Sequence, residues 1–169
     1  EHEREFAGQY VFHRALSVNV LPALPSMDAA LIDGDHNWFT VYHECRLLAE
    51  ASTKAGAPLP IMILHDVRWP YGRRDLYYAP ETIPEEFRQP YARKGMHLGQ
   101  SDLAKGATGR NPTMCNATHE GGPRNGVMTG LEDWMAEYPE PLRMVPVPIY
   151  FGLAIVVAEE RLERQPELA

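Results

Sequence analysis

The sequence lacks the features that mark several large classes of protein. No apolar run approaches the ~20 residues of a membrane span, and the opening residues EHEREFAGQY contain no apolar signal-peptide core. The chain has 16 basic against 23 acidic residues and a formal net charge of −7, which argues against a surface that tracks nucleic-acid phosphates. Two cysteines, Cys45 and Cys115, are too few for a disulfide framework and match no CxxC spacing. We therefore expect a cytoplasmic protein that binds neither nucleic acid nor membrane.

The composition is that of an ordinary globular domain. The 169 residues suffice for one domain with a sizeable core. Hydrophobic residues make up 44% of the chain and charged residues 23%, values that indicate neither disorder nor a fibre. The sequence shows no internal repeat and no second domain boundary, so residues 1–169 are predicted to belong to a single domain.

Two short apolar stretches stop abruptly at ionisable side chains. They are Asp28–Asn37 (DAALIDGDHN) and Pro60–Pro70 (PIMILHDVRWP). Apolar runs of this length fit strands that are buried on both faces, as in a parallel sheet covered by helices. In such sheets ligands bind at the carboxyl ends of the strands, so these two ends hold the candidate site. Its ionisable residues are Asp33, Asp35, His36, His65 and Asp66.

The pattern of helices and strands around these stretches predicts an α/β fold. Apolar residues at spacings of three and four predict an amphipathic helix over Asn37–Ala55, closed by Gly56. A strand, a helix and a second strand in succession form a βαβ unit with parallel strands. The other predicted elements are the end of a helix at Glu1–Phe6, a strand at Gln9–Ala15, a short helix at Ser17–Leu24, a helix at Asn125–Tyr138, an antiparallel hairpin of Leu142–Val147 and Phe151–Ala158, and a charged, solvated tail at Glu159–Ala169.

The segment from 67 to 124 differs from the rest of the chain. It is rich in Pro, Gly, Tyr and Arg, with little periodicity beyond a short helix near Pro84–Gln89. A long irregular segment inside a compact domain is usually a functional lid or binding loop, and this one begins soon after the second strand end. We therefore predict that 67–124 is a lid or insertion. Its aromatic and basic side chains could bind a polar or anionic acceptor, or pack as an ordinary lid. They are Tyr71, Arg73, Arg74, Tyr77 and Tyr78.

The order of strand, DGDHN, helix, strand ending in LHD, long insertion, helix and closing hairpin resembles the second half of a class I S-adenosylmethionine-dependent methyltransferase. More narrowly, it is similar to the metal-dependent O-methyltransferases that act on macrolide sugars and other natural products. The resemblance covers Gln9–Ala158. It implies a Rossmann-like, mostly parallel sheet with a C-terminal antiparallel hairpin. It also implies S-adenosylmethionine as cofactor and a small-molecule hydroxyl as acceptor.

The resemblance assigns roles to the residues at the two strand ends. The family holds a Mg²⁺ ion between an Asp after one strand and an acidic pair after the next, positions matched here by Asp33 and Asp66. His65 occupies the neighbouring position of that pair, and a histidine ligand would shift the preference toward Mn²⁺, iron or zinc. His36 lies three residues after Asp33, where the family carries its general base. Ser17, at a strand-to-helix corner, and Asp33 are the implied cofactor contacts.

The chain departs from the family in the part that cradles the cofactor. The family's glycine-rich loop and its ribose-binding acidic residue are absent, and no GxG pattern follows any predicted strand. The resemblance therefore covers only the C-terminal half of the family's domain. We expect either that the sequence is a fragment that lacks its N-terminal half, or that the rest is supplied elsewhere, for example by a second copy in a homo-oligomer.

Each assignment has an alternative that the sequence leaves open. Asp33 could cap the following helix, and Asp35 is expected to be such a cap or a partner of a metal ligand. His36 could be a surface histidine at the helix start, and His65 a core histidine. An O-methyltransferase is the leading functional hypothesis. The alternatives are a metal-dependent hydrolase, which would activate water with the same groups, and a non-catalytic module.

Overall fold

The computed structural model describes residues 7–168, which form a mixed α/β fold with two sheets. The helix end predicted at Glu1–Phe6 lies outside the described residues. The strands, numbered along the chain, are β1 (Ala29–Ile32), β2 (Ile61–His65), β3 (Leu76–Tyr77), β4 (Tyr91–Arg93), β5 (Cys115–Ala117), β6 (Leu142–Val147) and β7 (Leu153–Ala158). The helices are α1 (Ser17–Val20), α2 (Trp38–Ala55), α3 (Val127–Glu137) and α4 (Glu159–Arg164). Short 3₁₀ turns lie at Leu21–Ala23, Pro80–Thr82, Glu85–Phe87 and Pro166–Leu168.

The larger sheet carries the candidate strand ends. Its strand order is β1-β2-β7-β6, and β1 runs parallel to β2 with Ile32 opposite Leu64. Strand β7 is antiparallel to both of its neighbours. The parallel pair joined by α2 confirms the predicted βαβ unit, and β6 with β7 confirms the predicted hairpin. Met62 and Leu64 are fully buried because β2 lies inside the sheet.

Helix α2 connects the two parallel strands and agrees with its predicted boundaries. It begins after Asn37, whose side chain accepts a hydrogen bond from the backbone N–H of Thr40 at 2.9 Å. It ends at Gly56, whose φ of 60° places it in the left-handed conformation that closes many helices. Its apolar face, which includes the predicted core residue Cys45, is buried.

Helix α3 packs closely against the first turn of α2. A Cβ atom at Gly130 would lie 2.9 Å from the carbonyl oxygen of Trp38, so only glycine allows this approach of the two backbones. The indole Nε1–H of Trp38 donates to Asp133 at 2.6 Å. Trp134, predicted as a core residue, is buried. These contacts fix the start of α2, which directly follows the candidate site.

The segment 67–124 contains more regular structure than the sequence predicts. Strands β3, β5 and β4 form a three-stranded antiparallel sheet in that order. Sequence patterns miss such short strands because a reliable alternation needs at least about four residues. The helix predicted near Pro84–Gln89 is the 3₁₀ turn at Glu85–Phe87. Arg74 and Asp75, near the start of the segment, are fully buried and belong to the interior of the domain.

Two predicted segments differ from the structure. Gln9–Ala15 is not a strand but an irregular segment, in which Val11 and Phe12 are 78% and 71% exposed. A strand needs a neighbour for its backbone hydrogen bonds, and within residues 7–168 this segment pairs with no strand. Glu159–Ala169 is not only a solvated tail, because it begins with the helix α4, where Leu162 is buried.

Candidate functional site

The two parallel strands bring the candidate residues to one edge of the sheet. Strand β1 ends at Ile32 and is followed by Asp33, while β2 ends at His65 and is followed by Asp66. Because β1 and β2 are parallel, the residues that follow the two strands leave the sheet at the same edge. Asp66 has a φ of 58°, a left-handed conformation that Asp adopts more readily than most residues. The chain therefore turns sharply at the end of β2.

Four side chains at this edge contact one another, and we call them the strand-end group. His65 Nδ1 lies 3.2 Å from Asp33 Oδ1 and 3.0 Å from Asp66 Oδ2. His36 Nε2 lies 3.4 Å from the same oxygen of Asp33 and 3.0 Å from the same oxygen of Asp66. The side chain of Asp66 is 9% exposed and that of Asp33 is 50% exposed. The two imidazoles thus share two carboxylates, and the group is open to solvent at Asp33.

Three members of the strand-end group could hold a metal ion. One ligand atom each from Asp33, His65 and Asp66 lies within 4.8 Å of the other two. Carboxylate oxygens suit hard cations such as Mg²⁺, and an imidazole nitrogen suits first-row transition ions. The donor set therefore fits a divalent cation, and it comprises the three residues for which the sequence predicts metal binding.

Tyrosines from the insertion hold the ring of His36. The ring stacks on Tyr71, with centroids 5.7 Å apart and planes at 13°. Its Nδ1 lies 3.2 Å from the hydroxyl of Tyr78. The backbone carbonyl of His36 accepts a hydrogen bond from the N–H of Leu76 at 2.9 Å. His36 is 9% exposed and so is not the surface histidine considered as its alternative role.

The charges in the strand-end group shift two pKa values in opposite directions. Burial lowers the pKa of His36, but hydrogen bonds and charges from Asp66 and Asp33 outweigh burial and raise this pKa above its usual value. Burial raises the pKa of Asp66, but the imidazoles of His36 and His65 outweigh it and lower the pKa overall. These shifts favour an imidazolium–carboxylate pair between His36 and Asp66.

Asp35 is separate from the strand-end group. Its Oδ2 accepts a hydrogen bond from the hydroxyl of Thr40 at 3.1 Å, in the first turn of α2. This contact agrees with its predicted place at the helix start, although Asn37 provides the N-cap. Asp33 instead contacts the two imidazoles. Asp33 therefore does not have the capping role considered as its alternative.

A cavity of about 370 Å³ adjoins the strand-end group. Its walls include Ser17, Asp35, Glu44 and Tyr78, and Tyr78 also contacts His36. Glu44 is 6% exposed, and among residues 7–168 its Oε2 has no hydrogen-bond partner. Burial raises the pKa of Glu44 to about 7, with the Ser17 hydroxyl acting in the opposite direction. A buried carboxyl oxygen without a partner can accept a hydrogen bond from a ligand.

The predicted aromatic and basic cluster divides into two parts. Arg73 pairs with an acidic residue of α3, and Arg74 is fully buried and donates to backbone carbonyls. Tyr77 is also buried. The side chains of both arginines are thus occupied by contacts within the fold. Tyr71 and Tyr78, in contrast, contact His36.

Sequence reasoning missed Glu44 and the partners of His36. Glu44 lies between Val41 and Leu48 on the buried face of α2, at spacings of three and four. A carboxylate on a largely apolar helix face is the signal that could have identified it. No comparable signal predicts that Tyr71 and Tyr78 contact His36, because these contacts depend on the path of the insertion.

Comparisons with known proteins do not assign the chain to a family. A scan against protein-family models, a search of curated proteins and a search of solved structures each return no match. Within residues 7–168, no helix is long and apolar enough to cross a membrane. The function is therefore inferred from the strand-end group and the cavity beside it.

Proposed function

We propose that the chain is an S-adenosylmethionine-dependent O-methyltransferase, or the acceptor- and metal-binding half of one, acting on a hydroxyl of a small molecule. The observation that carries the proposal is the meeting of His36 with Asp33, His65 and Asp66 at the carboxyl ends of two parallel strands. A base, a set of metal ligands and an adjoining cavity are the parts that this reaction needs. A Rossmann-like methyltransferase sheet, with β1, β2 and the hairpin as its C-terminal part, belongs to the same proposal.

Asp33, His65 and Asp66 would hold the divalent cation. Their ligand atoms already lie close together, so little rearrangement is needed. When bound, the cation would act as a Lewis acid and lower the pKa of the acceptor hydroxyl. The buried carboxylate of Asp66 gives a fixed ligand, and the half-exposed carboxylate of Asp33 leaves a side from which an acceptor can approach.

His36 would accept the proton of the acceptor hydroxyl at Nε2. For Nε2 to present a lone pair, Nδ1 must carry the ring proton and donate to the hydroxyl oxygen of Tyr78, 3.2 Å away. Stacking on Tyr71 fixes the plane of the ring. If Asp33 and Asp66 were engaged as metal ligands, their charges would no longer favour the imidazolium, and the ring of His36 would be available as a base.

The cavity beside Ser17 would receive the adenosine end of the cofactor, which supplies the electrophilic methyl group. Ser17 and Glu44 line this cavity, and the unpaired oxygen of Glu44 can accept a hydrogen bond from an amino group. Asp33 is the second residue assigned to the cofactor. Since no GxG pattern follows a strand in this sequence, a second copy of the chain or an N-terminal half would complete the cradle.

Calorimetry with Mg²⁺ and Mn²⁺ tests the metal-binding part of this proposal. Asp33→Ala and Asp66→Ala should each lower the affinity by at least about 10–100-fold, because each removes a ligand. Asp35→Ala is the matched control and should keep the affinity, because this carboxylate bonds to Thr40 instead. Unchanged affinity in both ligand variants would remove the metal site from the proposal.

Titration with S-adenosylmethionine separates the proposal from its alternatives. We expect cofactor binding by the 169-residue chain alone to be weak or absent, and ligand-observed NMR is sensitive to binding in the weak range. Cofactor binding together with metal binding supports the methyltransferase. Metal binding without cofactor binding would favour a metal-dependent hydrolase, and binding of neither would favour a non-catalytic module. Transfer of a labelled methyl group to a hydroxyl acceptor by the completed enzyme is the decisive measurement.

A further inference from the structure

The metal-ligand set contains a nitrogen atom that the fold holds in place. His65 Nδ1 lies 3.2 Å from Asp33 Oδ1 and 3.0 Å from Asp66 Oδ2. The ring of His65 meets the ring of Phe151 edge to face, with centroids 6.2 Å apart, and this contact restricts its rotation. The nitrogen is therefore kept beside both carboxylate oxygens.

The spacing of these atoms matches neighbouring ligands of one small cation. Ligand atoms lie about 2.1 Å from Mg²⁺ or Zn²⁺, so neighbouring ligands are about 3.0 Å apart in an octahedron and about 3.4 Å apart in a tetrahedron. The two distances from His65 Nδ1, 3.0 and 3.2 Å, fall within that range. The ligand atoms of Asp33 and Asp66 lie within 4.8 Å of each other, so side-chain movement that brings these two closer lets all three residues bind the same ion.

We propose that Asp33, His65 and Asp66 select a first-row transition ion of the Mn²⁺, Fe²⁺, Co²⁺ or Zn²⁺ class over Mg²⁺. Only the catalytic role of the ion rests on the proposed function. The selectivity itself follows from the chemical types of the three ligand atoms. Mg²⁺ prefers an all-oxygen octahedron and keeps several waters. An imidazole ligand favours the transition ions, increasingly so from Mn²⁺ to Co²⁺. The nitrogen therefore discriminates between the two classes of metal.

His36 is the competing nitrogen donor in the strand-end group. Its Nε2 also lies 3.0 Å from Asp66 Oδ2. It lies 3.4 Å from Asp33 Oδ1 as well, so distance alone does not separate His65 from His36. Its ring is held by Tyr71 and Tyr78, the contacts that suit it for proton transfer. The metal nitrogen is therefore assigned to His65, and His36 provides a control.

Metal titration of the chelator-treated 169-residue chain tests the selectivity. The measured quantity is the ratio of Co²⁺ to Mg²⁺ affinity, compared between the parent and His65→Asp. The variant replaces the nitrogen by an oxygen ligand and should lower this ratio by about 10–100-fold. Asp35→Asn should leave it unchanged. An equal ratio in parent and His65→Asp would overturn the proposal. If His65→Asp does not fold, His65→Gln serves the same comparison with a neutral oxygen ligand.

Pulsed electron paramagnetic resonance of the Mn²⁺-loaded chain identifies the nitrogen directly. Modulation of the echo by an imidazole ¹⁴N nucleus is expected in the parent and in His36→Gln, and it should disappear in His65→Asp. Modulation that persists in His65→Asp but disappears in His36→Gln would place His36 on the metal and overturn the assignment.

The two proposals can fail separately. Transition-ion selectivity in a completed enzyme that transfers no methyl group would uphold the metal inference and refute the methyltransferase. Methyl transfer supported equally by Mg²⁺ and Co²⁺, with no ¹⁴N modulation, would uphold the methyltransferase and refute the metal inference.

Discussion

Asp66 and Asp75 are close in sequence and both are buried, yet their partners are of different kinds. Asp75 accepts hydrogen bonds from the backbone N–H of Trp38 at 2.8 Å and of Gly126 at 2.6 Å, and from the hydroxyl of Tyr77 at 2.7 Å. Asp66 has the two imidazoles of the strand-end group as its partners. One carboxylate is thus held largely by the backbone, and the other by ionisable side chains.

This difference distinguishes a carboxylate with a structural role, Asp75, from one that can bind a ligand, Asp66. Backbone donors are fixed by the fold, so Asp75 joins the starts of α2 and α3 to the insertion. Imidazoles can change protonation state or bind another group, so Asp66 can exchange them for a cation. Burial alone therefore does not identify a functional carboxylate, and the chemical type of its donors has to be considered as well.

The largest expected effect is the loss of stability in Asp75→Ala. This change leaves three buried donors unpaired, at roughly 2 kcal/mol each, a total comparable to the stability of many domains. We expect the variant to be unfolded or to melt far below the parent by circular dichroism. Asp75→Asn, which keeps one acceptor oxygen, should lose clearly less. A melting temperature near that of the parent would contradict the structural role that we assign to Asp75.

His36→Ala should affect turnover more than stability, in contrast to Asp75→Ala. Losing a positioned base lowers kcat by about 10²–10⁴-fold in the completed enzyme. Metal affinity should be nearly intact, and higher pH should restore part of the rate because the acceptor hydroxyl then ionises unaided. Tyr78→Phe should lower kcat less, because only the partner of Nδ1 is removed. Normal turnover of His36→Ala across pH 6–9 would show that His36 is not the general base, and His65 would then be the next candidate.

Glu44 offers a third kind of buried carboxylate, one oxygen of which has no hydrogen-bond partner within residues 7–168. Its pKa of about 7 in the folded chain lies above the ordinary glutamate value of 4.5, so the stability of the fold falls as pH rises through this interval. At pH 8, Glu44→Gln should therefore be more stable than the parent by about 3 kcal/mol, and at pH 4 the two should be equal. Urea denaturation at both pH values measures the difference. Glu50→Gln, at an exposed position of the same helix, is the matched control, and a parallel response of both variants would contradict the assignment.

The smallest effect is expected for Arg73→Gln. Arg73 and Glu132 form a surface pair in which both side chains are more than 40% exposed, and such pairs contribute about 0–1 kcal/mol. The melting temperature should fall by no more than about 2–4 °C. Metal affinity should stay at the parent value, because Arg73 contacts α3 rather than the strand-end group. A large loss of metal affinity would mean that the insertion controls the site through this arginine.

The sequence predicts the candidate site better than it predicts the segment around it. The apolar runs before Asp33 and His65 have strand length and end in polar groups, so the parallel pair and its edge could be inferred from local patterns. The strand predicted at Gln9–Ala15 is wrong because alternation alone does not provide a pairing partner. The burial of Asp75 could not be inferred, since its backbone donors come from α2 and from Gly126.

The hydrogen bond from the Leu76 N–H to the His36 carbonyl links the candidate base to the interior of the insertion. Amide protons in such positions exchange with solvent only when the surrounding unit opens. Deuterium uptake at Leu76 would therefore report how often the backbone of His36 is released. Slow uptake there, beside fast uptake across the exposed residues 105–109, would show that the insertion can fluctuate at its surface while the geometry of the base is preserved.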